Sequence, residues 1–240
     1  MKNILIAIVV VLLGVLAWYF FINGNESATT SEDSVDSESG VNSDLDMPIE
    51  SRMTMETGTY EAAPAYSSVN WQAGKPAIAG YVHTGKFEVD SGEVTLTEGE
   101  LTGEFVIDVN SLVVTSLGGG KEGQESSLEA HLKSDSFFDV ATYPKATFTV
   151  TDVSPKVLPG PGESDYTATG ELTLKGKTNS VSFPMKVLVA NENEVWMTAA
   201  ITIDRTLWGI DFGSASIAEE ITDNIIGDDV MLDLVMKLEK

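Results

Sequence analysis

The chain has 240 residues and no cysteine, which excludes disulfides, thiolate metal sites, a cysteine nucleophile and a lipid-modified N-terminal cysteine. Its 37 acidic residues against 14 basic ones give a net charge of −23, which repels nucleic acid and anionic membrane surfaces. The basic residues form no cluster denser than Lys175 and Lys177, so nucleic acid is not an expected partner.

In chain order, residues 4–22 form an uncharged apolar run of 19 positions. As a helix this run reaches about 28 Å, close to the roughly 30 Å hydrocarbon core of a bilayer. Trp18, Tyr19, Phe20 and Phe21 fall at its distal end, where aromatic rings favour the lipid–water boundary. Lys2 precedes the run and no basic residue follows until Arg52, so the N-terminus is expected in the cytoplasm and the rest across the membrane. A cleaved signal peptide would carry a shorter apolar region of about 7–15 residues and a small-residue cleavage site. The run is longer than that, which favours an uncleaved anchor; cleavage would give a secreted protein, and the domain is exported in both cases.

Residues 23–59 read as an acidic linker. Its stretch from Asn23 to Glu50 has eight acidic residues, no basic ones and no aromatics. Such a segment buries too little apolar surface to offset its ordering entropy, so disorder is expected, stretched by self-repulsion.

From residue 60 to 240 the texture is that of one all-β domain. Tyr81, His83, Phe87 and Val89 share one face, and Val82, Thr84, Lys86 and Glu88 the other. Phe105, Ile107 and Val109 alternate with Glu104, Val106 and Asp108. Val195, Met197, Ala199, Ile201 and Ile203 face one way, opposite Trp196, Thr198, Ala200, Thr202 and Asp204, and Val230, Leu232, Leu234, Met236 and Leu238 repeat the pattern. Further strands are predicted near residues 146–152, 166–174 and 181–189. Period-two runs separated by Gly, Asp, Asn and Pro turns indicate an antiparallel meander or barrel of about eight strands. One short helix interrupts them: Ser126 and Glu129 are spaced as a capping box, with Leu128 and Leu132 on one face of the helix that follows. The apolar segment from Phe137-Phe138 to Tyr143-Pro144 is placed to cover one end. Eight strands either fill a barrel with side chains or hold one small ligand, and alternation does not decide between the two.

Specific strings add a resemblance. Ser68-Val69-Asn70-Trp71 and Tyr81-Val82-His83-Thr84-Gly85 come first, then residues 101–112 (LTGEFVIDVNSL). The segment from His131 to Val140, with Tyr143-Pro144 and Ala146-Thr147-Phe148, follows, and residues 170–178 and 204–210 complete the set. In this order they resemble the YceI-like domain family from about Tyr60 to the C-terminus. The resemblance implies a lipocalin-like antiparallel β-barrel with an elongated apolar cavity, exported in bacteria, holding a polyisoprenoid or similar long-chain lipid.

Tyr81, Phe87, Phe105, Phe148, Met185, Met197 and Trp208 are the apolar candidates for lining such a cavity, though ordinary core packing serves each equally well. His83 is in phase with Tyr81 and Phe87, so it points inward, either to a backbone carbonyl or water or to a ligand headgroup. Arg205 is either a structural arginine paired with a carboxylate such as Asp211 or a headgroup contact at the cavity mouth. His83 and His131 are the only histidines, and a zinc site would need carboxylates beside them. No G-x-S-x-G elbow is present, and Gly118-Gly119-Gly120-Lys121 lacks the spacing and hydroxyl residue of a P-loop. No cofactor or enzymatic activity is expected. The expected partners are an apolar lipid and, through residues 4–22, a membrane; a homodimer is compatible with the sequence. The alternative is a filled barrel serving as an envelope interaction module, with an exposed apolar patch beside Trp196.

Overall fold

The computed structural model describes residues 55–120, 123–156, 163–214, 216 and 225–240. The predicted anchor and most of the predicted linker lie outside them. Among the described residues, no helix is long and apolar enough to cross a membrane.

Nine antiparallel strands form one sheet: β1 (Gly58–Ala62), β2 (Ser68–Gly74), β3 (Val82–Thr97), β4 (Glu100–Gly118), β5 (Lys145–Pro155), β6 (Tyr166–Leu174), β7 (Lys177–Asn191), β8 (Glu194–Asp204) and β9 (Asp229–Glu239). From β4 to β9 each strand pairs with the next, and β9 pairs with β2, β2 with β3, and β3 again with β4. The sheet therefore closes on itself as a ring. Expectation and structure differ in the count, nine strands against about eight, for a local reason. β1 and β2 both lie between β3 and β9, and a 3-10 turn at Pro64–Tyr66 separates them. They share one position in the ring, because proline interrupts a ladder that needs its N–H. β1 also opens two residues before the expected start of the domain at residue 60.

The β3–β4 hairpin is long and carries register shifts near Gly85, Phe87 and Asp90. Such bulges bend a strand and increase its twist, which lets a sheet close. At one shift the Ser111 hydroxyl accepts the Glu88 backbone N–H at 2.7 Å and donates to the Asp108 carbonyl, replacing the interrupted ladder.

Alternation then sorts the side chains. Val69 and Trp71, Phe87 and Val89, Val195 and Met197, and Met236 and Leu238 are all buried in one core. Fully burying side chains of this size contributes roughly 1.5–3 kcal/mol each.

Among the described residues there is one α-helix, α1 (Glu125–Lys133), between β4 and β5. The predicted capping box is corrected here. Gln124 is the N-cap and makes no side-chain cap, Ser126 sits inside the first turn, and the Glu129 carboxylate accepts the Val114 backbone N–H at 2.9 Å. Glu129 thus fastens α1 to β4, where the ladder is irregular. Leu128 and Leu132 pack on the core, as their shared face predicts.

Candidate functional site

The interior of the ring is not filled. A cavity of about 320 Å³ lies beneath α1, and a second of about 120 Å³ lies farther along the strands. The larger falls in the roughly 300–1,000 Å³ range of small-molecule sites. Val69, Ile107, Leu172, Ile203 and Leu232 line both cavities, so the two meet at a shared wall. Along β8 the lining runs from Met197 to Ile203. Six residue steps in a strand span about 20 Å, which suits a chain-like molecule better than a rounded one.

The predicted residues divide between the two spaces. Tyr81, His83, Phe87 and Arg205 line the larger cavity; Phe105, Phe148, Met185 and Met197 line the smaller. Trp208 lines neither. Its indole is buried and donates to the Leu172 carbonyl oxygen at 2.9 Å, so it supports the wall from behind. The cause is local. Asp204 ends β8 and its carboxylate accepts the Thr206 backbone N–H at 2.9 Å, starting a 3-10 turn over Arg205–Trp208 that Gly209 closes at φ +70°. Period two stops at that cap, before Trp208 is reached.

Arg205 is buried within this turn. Its guanidinium donates to the carbonyl oxygens of Gly227, Ile210 and Ile226, and meets the Asp228 carboxylate at 3.4 Å. The reading of a structural arginine paired with a carboxylate holds, the partner being Asp228 rather than Asp211, and backbone carbonyls take most of the remaining donors. The group stitches residues 225–228 to the turn while its stem contributes to the cavity wall. Burial lowers its pKa, against the opposing pull of Asp228, Asp204 and Asp211.

Residues outside the predicted cavity lining complete the larger cavity. Trp71 lines it from β2, and Leu128, His131 and Leu132 line it from α1. Phe137 and Phe138 close it from the segment after the helix, Phe138 meeting Phe87 edge-on at 5.6 Å between ring centroids. His131 sits in an aromatic cluster, 5.0 Å from Phe137 and 4.9 Å from Phe212. The i, i+4 spacing of Leu128 and Leu132 signalled the helix face, and the double Phe was expected to cover one end, where it lies.

The lining is mostly carbon. Its polar members are Tyr81, Lys75, whose ammonium lies 5.0 Å over the Tyr81 ring, Trp71, Arg205 and the two histidines. His83 packs against Tyr81 at 4.6 Å. Burial first, and the Lys75 charge second, lower its pKa below the ordinary 6.5, so the imidazole is neutral at pH 7. Among the described residues, no group of three His, Asp or Glu side chains is placed to hold a metal. Chemically, the site offers a long apolar bed with a few hydrogen-bonding atoms at its α1 end.

Comparison with known proteins places this architecture. Structures similar in fold include BcnA from Burkholderia cenocepacia, at TM-score 0.54 and 22% identity over 73% of this chain and 98% of that one. Another is a polyisoprenoid-binding domain from Saccharophagus degradans, at TM-score 0.55 and 21% identity over 77% of this chain and 99% of that one. The comparison with curated proteins finds no match. The profile of the YceI-like domain matches residues 60–238, from the second half of β1 to the end of β9, and the chain belongs to that family.

Proposed function

We propose that the chain binds a long apolar lipid, an isoprenoid or isoprenoid quinone, inside its closed sheet, which works as a lipocalin-like barrel and performs no catalysis. The observation that carries this reading is the pair of carbon-lined cavities meeting along Val69, Ile107, Leu172, Ile203 and Leu232. An extended hydrocarbon fits such a bed, and each CH₂ moved into it contributes roughly 0.8 kcal/mol. Polyisoprenoid binding by the Saccharophagus degradans domain, which shares the fold, supports the transfer. Met185, Met197 and Met236 beside the inner cavity suit a ligand of irregular shape, because thioethers adapt to their neighbours.

In this reading residues 4–22 hold the domain on the outer face of a bacterial cytoplasmic membrane, and the acidic linker sets its reach. The filled-barrel alternative loses its premise to the open interior. Native mass spectrometry of the full chain, extracted in mild detergent from its host membrane, tests the proposal. An apolar adduct of isoprenoid mass is expected; a folded protein with a clean apo mass would overturn it.

A further inference from the structure

Among the described residues, two buried side-chain polar atoms have no hydrogen-bond partner: Trp71 Nε1 and His83 Nδ1. Both residues line the larger cavity. Register makes them neighbours: Trp71 is opposite Gly85 and His83 opposite Ala73, so they lie diagonally on the inner face of β2 and β3. Diagonal positions stand about 7–8 Å apart, a gap that two large rings can bridge toward one shared atom. Buried polar atoms in folded proteins are nearly always satisfied, and an unmade bond there is costly. Two on one wall of an otherwise carbon-lined cavity point to a polar atom on the molecule that enters.

The chemistry of that atom follows from the two groups. An indole N–H only donates, so the ligand atom must accept. An imidazole Nδ1 accepts in one tautomer and donates in the other. A hydroxyl satisfies both cases, since its oxygen accepts from Trp71 and either donates to or accepts from His83. A carbonyl satisfies only one. An anionic head is disfavoured, because Arg205 already commits its guanidinium to three carbonyls and Asp228, and the Lys75 ammonium rests on Tyr81.

We infer that Trp71 Nε1 and His83 Nδ1 form a headgroup subsite for an uncharged hydroxyl, so that the bound lipid is an alcohol or phenol. The inference rests on the lipid-binding reading above and adds the headgroup to it.

The test uses the full chain in detergent with three probes of equal chain length: farnesol, the hydrocarbon farnesane and farnesyl diphosphate. Farnesol is expected to bind about 10-fold more tightly than farnesane, the ratio set by one buried hydrogen bond. Trp71→Phe and His83→Phe should each remove most of that preference while farnesane binding persists. In the unsubstituted protein the Trp71 indole N–H resonance, identified by its loss in Trp71→Phe, should move with farnesol and stay with farnesane. The shift itself is read on the unsubstituted protein; Trp71→Phe is needed only to assign the resonance. Equal binding of alcohol and hydrocarbon, an unmoved indole resonance or tightest binding of the diphosphate overturns the subsite and leaves the lipid reading standing. No binding of any probe overturns both.

Discussion

The indole of Trp71 lies over Gly85, its directly opposed partner on the neighbouring strand. A methyl group at Gly85 would overlap the indole and the Val113 carbonyl oxygen. Phe105 likewise covers its direct partner Gly92, and Phe148 covers Gly170, diagonal to it on the next strand. In each case an inward aromatic lies over a strand position that offers no side chain. Large rings laid against the wall line the interior without filling it, which links these glycines to the cavities.

Gly85→Ala is therefore expected to lose about 1–3 kcal/mol of stability, the usual penalty of overpacking. It should also weaken lipid binding, since a displaced indole can only move toward the cavity. Thermal unfolding beside lipid titration checks both. An unchanged melting temperature would show that the β2–β3 backbone yields easily at this point.

The inner face of much of this sheet was legible in the sequence, because period two survives wherever strands are regular. Met197, Ile201 and Ile203 on β8, and Leu232, Leu234 and Met236 on β9, reach the cavities from the predicted face. What escaped was set by contacts distant in sequence. Trp208 was counted among the apolar cavity candidates, yet it lies beyond the strand in a capped 3-10 turn that turns its ring away from the cavities. Arg205 binds mainly backbone carbonyls, which leave no trace in residue identity. Trp71 stood in a recognised string, yet its place in the wall depends on a glycine 14 positions away that only the strand register brings beneath it. The capping-box spacing of Ser126 and Glu129 was misleading because Glu129 satisfies an N–H on β4 instead.

Arg205→Met should unfold the protein more readily, by about 3–5 kcal/mol, because it strands three carbonyls and the Asp228 carboxylate. Arg205→Lys should recover little, since one ammonium cannot reproduce a planar fork reaching four acceptors. Denaturant unfolding of the two variants checks this. A lysine variant of full stability would mean that the charge alone matters and the fork does not.

Stability should also fall on acidification through His83. Burial and then Lys75 place its folded pKa below the ordinary 6.5, whereas the unfolded chain titrates near that value. The unfolded state thus takes up a proton first, and folding weakens as the pH drops from about 6.5 toward the folded pKa. Above that window the group has no effect. His83→Phe should flatten this part of the stability–pH curve, and an identical slope in the variant would assign the loss to another group.

The shared wall yields the sharpest test that the two cavities serve one ligand. Leu172 lines both, and its backbone carbonyl is held by the Trp208 indole. Leu172→Trp should block passage to the inner space at a stability cost of about 1–3 kcal/mol. A long isoprenoid alcohol denied that space loses roughly 0.8 kcal/mol for each excluded CH₂, so about five carbons amount to some 10³-fold in affinity. A short one such as geraniol, which the outer cavity accommodates, should bind almost as before. The milder Leu172→Phe should fall between the two, with the loss growing as the ligand lengthens. If long and short alcohols instead weaken by the same factor, the inner cavity takes no part in binding and the ligand ends at Leu172.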